Sequence, residues 1–358
     1  MGKAVLIRIS KVTVAILEYM AGSAGRIVGR VVAALVVLVL IVGGASAYQN
    51  RQQISDFFAA QAFSPSPEML ALTERIEPTV IGERLFFASK PTLDASQRFN
   101  EQCSQVDHSE EGHVLGCFSG GRIHLFQVTD ERLAGIVEVT AAHELLHAAF
   151  SRLSAEEKAA LGEELRAAFD ELSANDPALA RRMDVYRSLS TTAFANELHS
   201  VLGTEVRALP AWLEAHYSQW FENRGVIVDF FDAYHDVFTE LQARAEGLEA
   251  QLVTLRTDIE ARTAQYDAAV SRFNAEWQSF LQRNEAFEFS DNPGLFYAIR
   301  DDFDARRTQL NADLEALNAD ISRYETMRVE LQQLGELNSE LQDQLNSDLA
   351  PPAELPNN

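Results

Sequence analysis

Four hydrophobic patterns succeed one another along the chain. From Val31 to Val42 every position is apolar, and Gly43, Gly44, Ala45, Ser46, Ala47 and Tyr48 extend the stretch to 18 residues without a charge. A helix needs roughly 20 residues to cross the hydrocarbon core, so residues 31–49 are expected to span a membrane. Phe63-Ser64-Pro65-Ser66-Pro67 then punctuates residues 50–67, which read as a juxtamembrane linker. Short strand-like runs follow. Leu85-Phe86-Phe87-Ala88 is expected to be a first strand, and residues 114–118 and 123–128 flank Ser119-Gly120-Gly121-Arg122 as a β-hairpin. From Ile136 the pattern is helical almost to the end. Ser154-Ala155-Glu156-Glu157 has the form of a helix start, and Asn175-Asp176-Pro177 and Leu209-Pro210 mark breaks.

The last pattern is a heptad. Leu241, Ala245, Leu248, Leu252, Leu255, Ile259, Tyr266, Ala269 and Phe273 follow a 4-3 spacing, with Arg262 as the polar intruder. Leu310, Leu314, Leu317, Ile321, Tyr324, Met327, Leu331 and Leu334 do the same, with a phase slip near Met327. Such spacing buries an apolar seam between supercoiled helices. Ser290-Asp291-Asn292-Pro293-Gly294 between the arms is a turn, so residues 236–346 are expected to form an antiparallel helical hairpin rather than a parallel rod. The Pro-rich end, 347–358, reads as a disordered tail.

Charge changes the picture in two ways. The net charge is −23, and Lys3, Arg8, Lys11, Arg26 and Arg30 outweigh Glu18 ahead of the apolar run, so the remainder is more acidic still. That excludes a nucleic-acid partner, which needs clustered Lys and Arg, and is read as a solvated, self-repelling surface. The basic leader, 1–30, also sets orientation: the positive-inside rule puts it in the cytoplasm and everything after Tyr48 outside. Ala45-Ser46-Ala47 has the form of a signal-peptidase site, but the long leader favours an uncleaved anchor. Cys103 and Cys117 fit an exported body as a disulfide. A second metal site using His108 and His113 between them is the other reading, although the spacing matches no common zinc finger.

The chemistry lies in His143-Glu144-Leu145-Leu146-His147. Residues four apart share a helix face, so the two imidazoles can meet one ion, with Glu144 beside it to take a proton from bound water. Thr140, Ala141, Ala142, Ala148, Ala149 and Phe150 around them carry no charge. Burying two His and a Glu in such surroundings is costly unless a metal holds them, so a Zn2+ site is expected. A catalytic zinc takes three protein ligands and leaves one position open. The third ligand is sought in residues 191–205.

There Asn196-Glu197-Leu198-His199-Ser200 resembles the second helix of thermolysin-like metallopeptidases, where Asn-Glu-x-x-Ser supplies the ligand. With the HExxH helix ahead of it, the chain resembles a zincin of the glutamate-ligand (gluzincin) type. The resemblance covers only that helix, this short stretch and a preceding strand. It implies a zinc metallopeptidase with His143, His147 and Glu197 as ligands and Glu144 as general base; Glu205 and His199 are the other third-ligand candidates. In that family an Asp four residues after the ligand Glu holds a zinc histidine, but here the position is Val201, so this support must be built differently. The resemblance also implies a sheet-edge strand that holds substrate, placed at Arg122, Ile123, His124 and Leu125 and on to Val128. Tyr186, His216 and Tyr217 are candidate donors to the oxyanion. Trp212, His216 and Trp220, four residues apart, also read as a packed helix face.

The expectation is thus an α+β, mostly helical chain. A small zincin-like domain with a short β-sheet, 68–235, follows the anchor and precedes the coiled-coil hairpin. Its partners would be a peptide or protein substrate, the membrane, and a protein on the coiled coil. A second reading makes the chain a cell-envelope interaction protein with a structural or inactive zinc. A third keeps the catalytic zinc but changes the substrate, because HExxH specifies water activation and not the bond being cut.

Overall fold

The computed structural model describes residues 23–104 and 114–347. The leader up to residue 22, the His108 and His113 alternative and the tail from 348 lie outside the described residues. The first described helix, α1 (Ser23–Gln49), contains one segment, Gly29–Gln49, long and apolar enough to cross a membrane, none of it buried against the rest of the chain.

The expected linker is mostly helix. Residues Arg51–Ala62 form α2, and Pro67–Arg75 form α3. Pro67 starts that helix because a first-turn position has no use for its missing N–H, and Ser66 caps it by accepting from the Met69 N–H. Leu85-Phe86-Phe87-Ala88 is also helical, within α4 (Val80–Ala88), which corrects the expected strand. A four-residue apolar run does not distinguish strand from buried helix. Here the Thr79 side chain accepts from the Gly82 N–H and starts the helix, while Gly82 lets Trp220 approach so closely that a Cβ would meet its carbonyl oxygen at 2.1 Å.

The sheet has three strands: β1 (Thr92–Asp94), β2 (Gly116–Ser119) and β3 (Arg122–Phe126), in the order β1-β3-β2. The β2–β3 hairpin forms as expected. Gly120 and Gly121 both have positive φ, 58° and 79°, the backbone that a two-residue hairpin turn demands. Between β1 and β2 runs α5 (Ser96–Cys103), and Cys103 is bonded to Cys117. Closing a loop of about 15 residues stabilises by about 3 kcal/mol in the chain-entropy account. Replacing both cysteines by serine should therefore lower unfolding free energy by about that amount in chemical denaturation, and reductant should do the same to the wild type.

Helix α6 (Ile136–Ser151) is the centre of the body, with 12 of its 16 residues buried. Around it pack α7 (Ala155–Ser173), α8 (Pro177–Asp184), α9 (Thr191–Glu205) and α10 (Ala211–Tyr217). The start at Ser154 is a full capping box with Glu157, and the breaks before Pro177 and Pro210 fall between helices. Trp212, His216 and Trp220 do not make one packed face: Leu213 and Tyr217 are the buried residues of α10, and Trp212 is 41% exposed.

Two long helices complete the chain, α11 (Arg224–Glu285) and α12 (Pro293–Leu345). They form the expected hairpin. At 1.5 Å per residue α11 is roughly 90 Å long. It begins inside the body, where Ile227, Val228 and Phe231 are buried, and passes residue 235 without a break. Asn292 caps α12 by accepting from the Leu295 N–H, with Pro293 next to it. The intruding Arg262 is paired across the seam with Asp320, and Arg244 meets Glu330 at 2.8 Å. Leu314 and Ile321 stand off the seam, 37% and 41% exposed, while Leu317, Met327 and Leu334 are buried on it. The returning end of α12 packs on the body: Leu341 and Leu345 join Leu133 and Ile136 in one cluster, and the Asn100 amide donates to the Ser347 carbonyl.

Glu205, at the end of α9, is buried beside Arg182 at 2.9 Å. Burial pushes its carboxyl up to about 7 despite Arg182. A folded pKa above the unfolded value of about 4.3 means that the folded chain holds the extra proton between those pH values. This contribution to stability is full below the unfolded pKa and lost as pH rises through 7. Glu205→Gln, which has no proton to lose, should remove a slope of about 1.4 kcal/mol per pH unit over that window. Denaturation at pH 5 and pH 8 should show the wild type losing more stability than the variant.

Candidate metal centre

Helices α6 and α9 bring the site together. Gly135 begins α6 with a φ of 102° and lies so close to the Phe230 backbone that a Cβ would sit 2.9 Å from its carbonyl oxygen. Gly203 on α9 does the same for the partner helix: a Cβ there would overlap Leu146 at 2.3 Å. With both helices at this close approach, His143 and His147 on α6 face Glu197 on α9. The Glu197 Oε2 atom is 3.5 Å from His143 Nε2 and 3.4 Å from His147 Nε2, and the three ligand atoms all lie within 4.8 Å of one another.

The two separations to Glu197 fit ligand atoms around one ion. Zinc binds His nitrogen and carboxylate oxygen at about 2.0–2.2 Å, which places neighbouring tetrahedral ligand atoms about 3.3–3.5 Å apart. The donor set, two imidazoles and one carboxylate, is also the one that zinc accepts. Burial is nearly complete, with side-chain exposures of 17% for His143, 10% for His147 and 16% for Glu197. His147 keeps a proton although burial opposes it: the Glu197 carboxylate, helped by Glu144, holds it up to about 10. Burial and the charge on His147 leave His143 lowered, against the pull of Glu197. Glu197 itself is held well below the usual carboxylate range by the two imidazoles, against the effect of burial. Binding a cation there would release any proton the imidazoles hold at Nε2, because a metal ligand must be deprotonated.

Glu144 is 4% exposed, next to the triad, and its carboxylate lies against β2. A Cβ at Gly116 would come within 2.7 Å of Glu144 Oε1 and 2.6 Å of Thr140, so the strand can run beside the carboxylate because that residue is glycine. This close approach was not legible in the sequence, where Gly116 is one small residue in a hairpin.

The other candidates are engaged elsewhere. Glu205 is paired with Arg182, and His199 packs at a tilt against Phe150 and meets His216, Nε2 to Nε2, at 2.8 Å. Tyr217 is fully buried and its hydroxyl donates to the His199 carbonyl at 2.7 Å, which removes it as an oxyanion donor. Tyr186 sits in the turn after α8 and packs on the main core. The substrate-edge assignment needs correction. The strand with Arg122, Ile123, His124 and Leu125 is the middle one, paired with β1 on one side and β2 on the other, so its backbone has no room for a peptide. His124 is buried and its Nδ1 is 2.9 Å from the Thr92 hydroxyl. The strand that borders Glu144 is β2, and among the described residues it pairs with β3 alone.

No protein-family model matches the chain, and neither a curated protein nor a solved structure matches it. The site therefore rests on its own geometry: a buried His-His-Glu group that can hold a metal ion, in a helical α+β body with one apolar N-terminal helix and a disulfide. The last two features both point to a location outside the cytoplasm.

Proposed function

We propose that the protein is a membrane-anchored zinc metallopeptidase that hydrolyses peptide bonds outside the cytoplasm. The observation that carries this reading is the convergence of His143, His147 and Glu197, with their ligand atoms within 4.8 Å of one another, beside the buried carboxylate of Glu144. Zinc, when bound, supplies a Lewis acid and a water whose pKa it lowers to about 7. The chain supplies the rest. His143 and His147 offer Nε2 lone pairs, Glu197 offers Oε2, and Glu144 accepts the water proton on its carboxylate and passes it to the leaving amine. The outer edge of β2 offers backbone N–H and C=O groups along which an extended peptide can align beside Glu144. The anchor over 31–49 keeps the body at the membrane surface, and the choice of peptide as substrate follows from the gluzincin resemblance.

Metal analysis and a proteolysis assay on the full chain in detergent test this. One zinc per chain and hydrolysis of an unfolded protein substrate are expected, lost with a chelator and restored by zinc. A chain that takes up no zinc at neutral pH overturns the metal site. One that takes up zinc but cleaves nothing returns the coiled-coil interaction reading.

A further inference from the structure

The family that the two motifs resemble fixes a zinc histidine with an Asp on the second helix, and here that position is Val201, buried at 2% exposure in the core. One residue earlier, Ser200 is fully buried and faces α6. Its Oγ is 3.2 Å from the His143 carbonyl oxygen and 3.2 Å from His147 Nδ1. A carbonyl only accepts, so the single hydroxyl proton goes to His143. The Ser200 oxygen is then left to accept, and the proton on that side of His147 must sit on Nδ1. A hydrogen on Nδ1 leaves the Nε2 lone pair pointing toward Glu197, where an ion would bind.

We infer that Ser200 is a positioning residue for the metal site: it fixes the tautomer and ring orientation of His147 through a relay from Nδ1–H to Oγ–H to the His143 carbonyl. The relay is buried, which strengthens it, and it spans the two helices that carry the ligands. Ser200 lies three residues after Glu197 and three before Gly203, so ligand, hydroxyl and the glycine of closest approach share one face of α9. A side chain at Gly203 would overlap those of Leu146 and Tyr217 and force them to shift. The inference rests on the zinc reading and adds to it how the second histidine is held in the absence of a carboxylate.

The experiment compares wild type, Ser200→Ala and Thr204→Ala as full chains. Thr204 is the matched control: its hydroxyl is equally buried one turn along and donates to the Ser200 carbonyl at 2.9 Å, away from the imidazoles. Zinc affinity is read by chelator competition, and coordination geometry by the visible spectrum of the cobalt(II)-substituted protein. Ser200→Ala should weaken zinc binding about 10–100-fold, the usual cost of losing a partner that orients a ligand, and should alter the cobalt spectrum. Thr204→Ala should change neither. Equal affinity and an unchanged spectrum in Ser200→Ala overturn the inference alone, as does an equal loss in Thr204→Ala, which would make the effect one of buried hydroxyls in general. A wild type that binds neither metal overturns the zinc reading and this one together.

Discussion

Glu144→Gln is expected to abolish hydrolysis while leaving the metal in place. The amide has the size and shape of the carboxylate, so it still fits against the β2 backbone at Gly116, where no Cβ competes for the space. What it lacks is a basic oxygen to receive a proton. Losing a positioned general base costs about 10²–10⁴-fold in kcat. Zinc content should stay at the wild-type value because Glu144 is not among the three converging ligand groups. Metal analysis and steady-state kinetics on the same preparation separate the two effects. Full activity in Glu144→Gln would remove this residue from the chemistry.

Glu197→Ala should do the opposite and lose the metal first. It removes the one oxygen that both Nε2 atoms face at 3.4 and 3.5 Å. Substituting a group that only orients a ligand costs about 10–100-fold in affinity, so removing the ligand itself should exceed about 100-fold. The fold should survive, because Leu198, Val201 and Leu202 carry the core packing of α9 and Glu197 is not among the core residues. Glu205→Ala in parallel should bind zinc as the wild type does, since its partner is Arg182 and not an imidazole. Loss of zinc in the Glu205 variant and retention in the Glu197 variant would reverse the assignment.

These residues also show what the sequence carried and what it did not. Spacing alone put His143 and His147 on one helical face, and the uncharged flanks announced that the helix is buried. The first arm of the hairpin was legible from Leu241 to Phe273, because a two-helix seam obeys the 4-3 period. The second arm drifted at Leu314 and Ile321, where the Arg262–Asp320 pair occupies the seam and displaces the apolar stripe by one residue. Strand order was beyond reach, since alternation places residues on faces and says nothing of which neighbours lie on either side. Alternation therefore fits β3 as an edge as well as it fits the middle strand that it is. Ser200 carries no role in the Asn196–Ser200 sequence by itself, because a hydroxyl acquires one only from what tertiary packing sets opposite it.

The return of α12 to the body has a last consequence. The hairpin leaves from Phe231 and Tyr234 and comes back at Leu341 and Leu345, against the same cluster that holds Ile136 at the head of α6. Entry and exit are thus side by side, and the long excursion between them is an insert with a closed base. Seven residues removed from, or added to, each arm would shift the tip by about 10 Å along the axis while preserving the seam and both attachments. Reach is therefore a freely adjustable quantity in this molecule, set by the number of heptads and independent of the site at its foot.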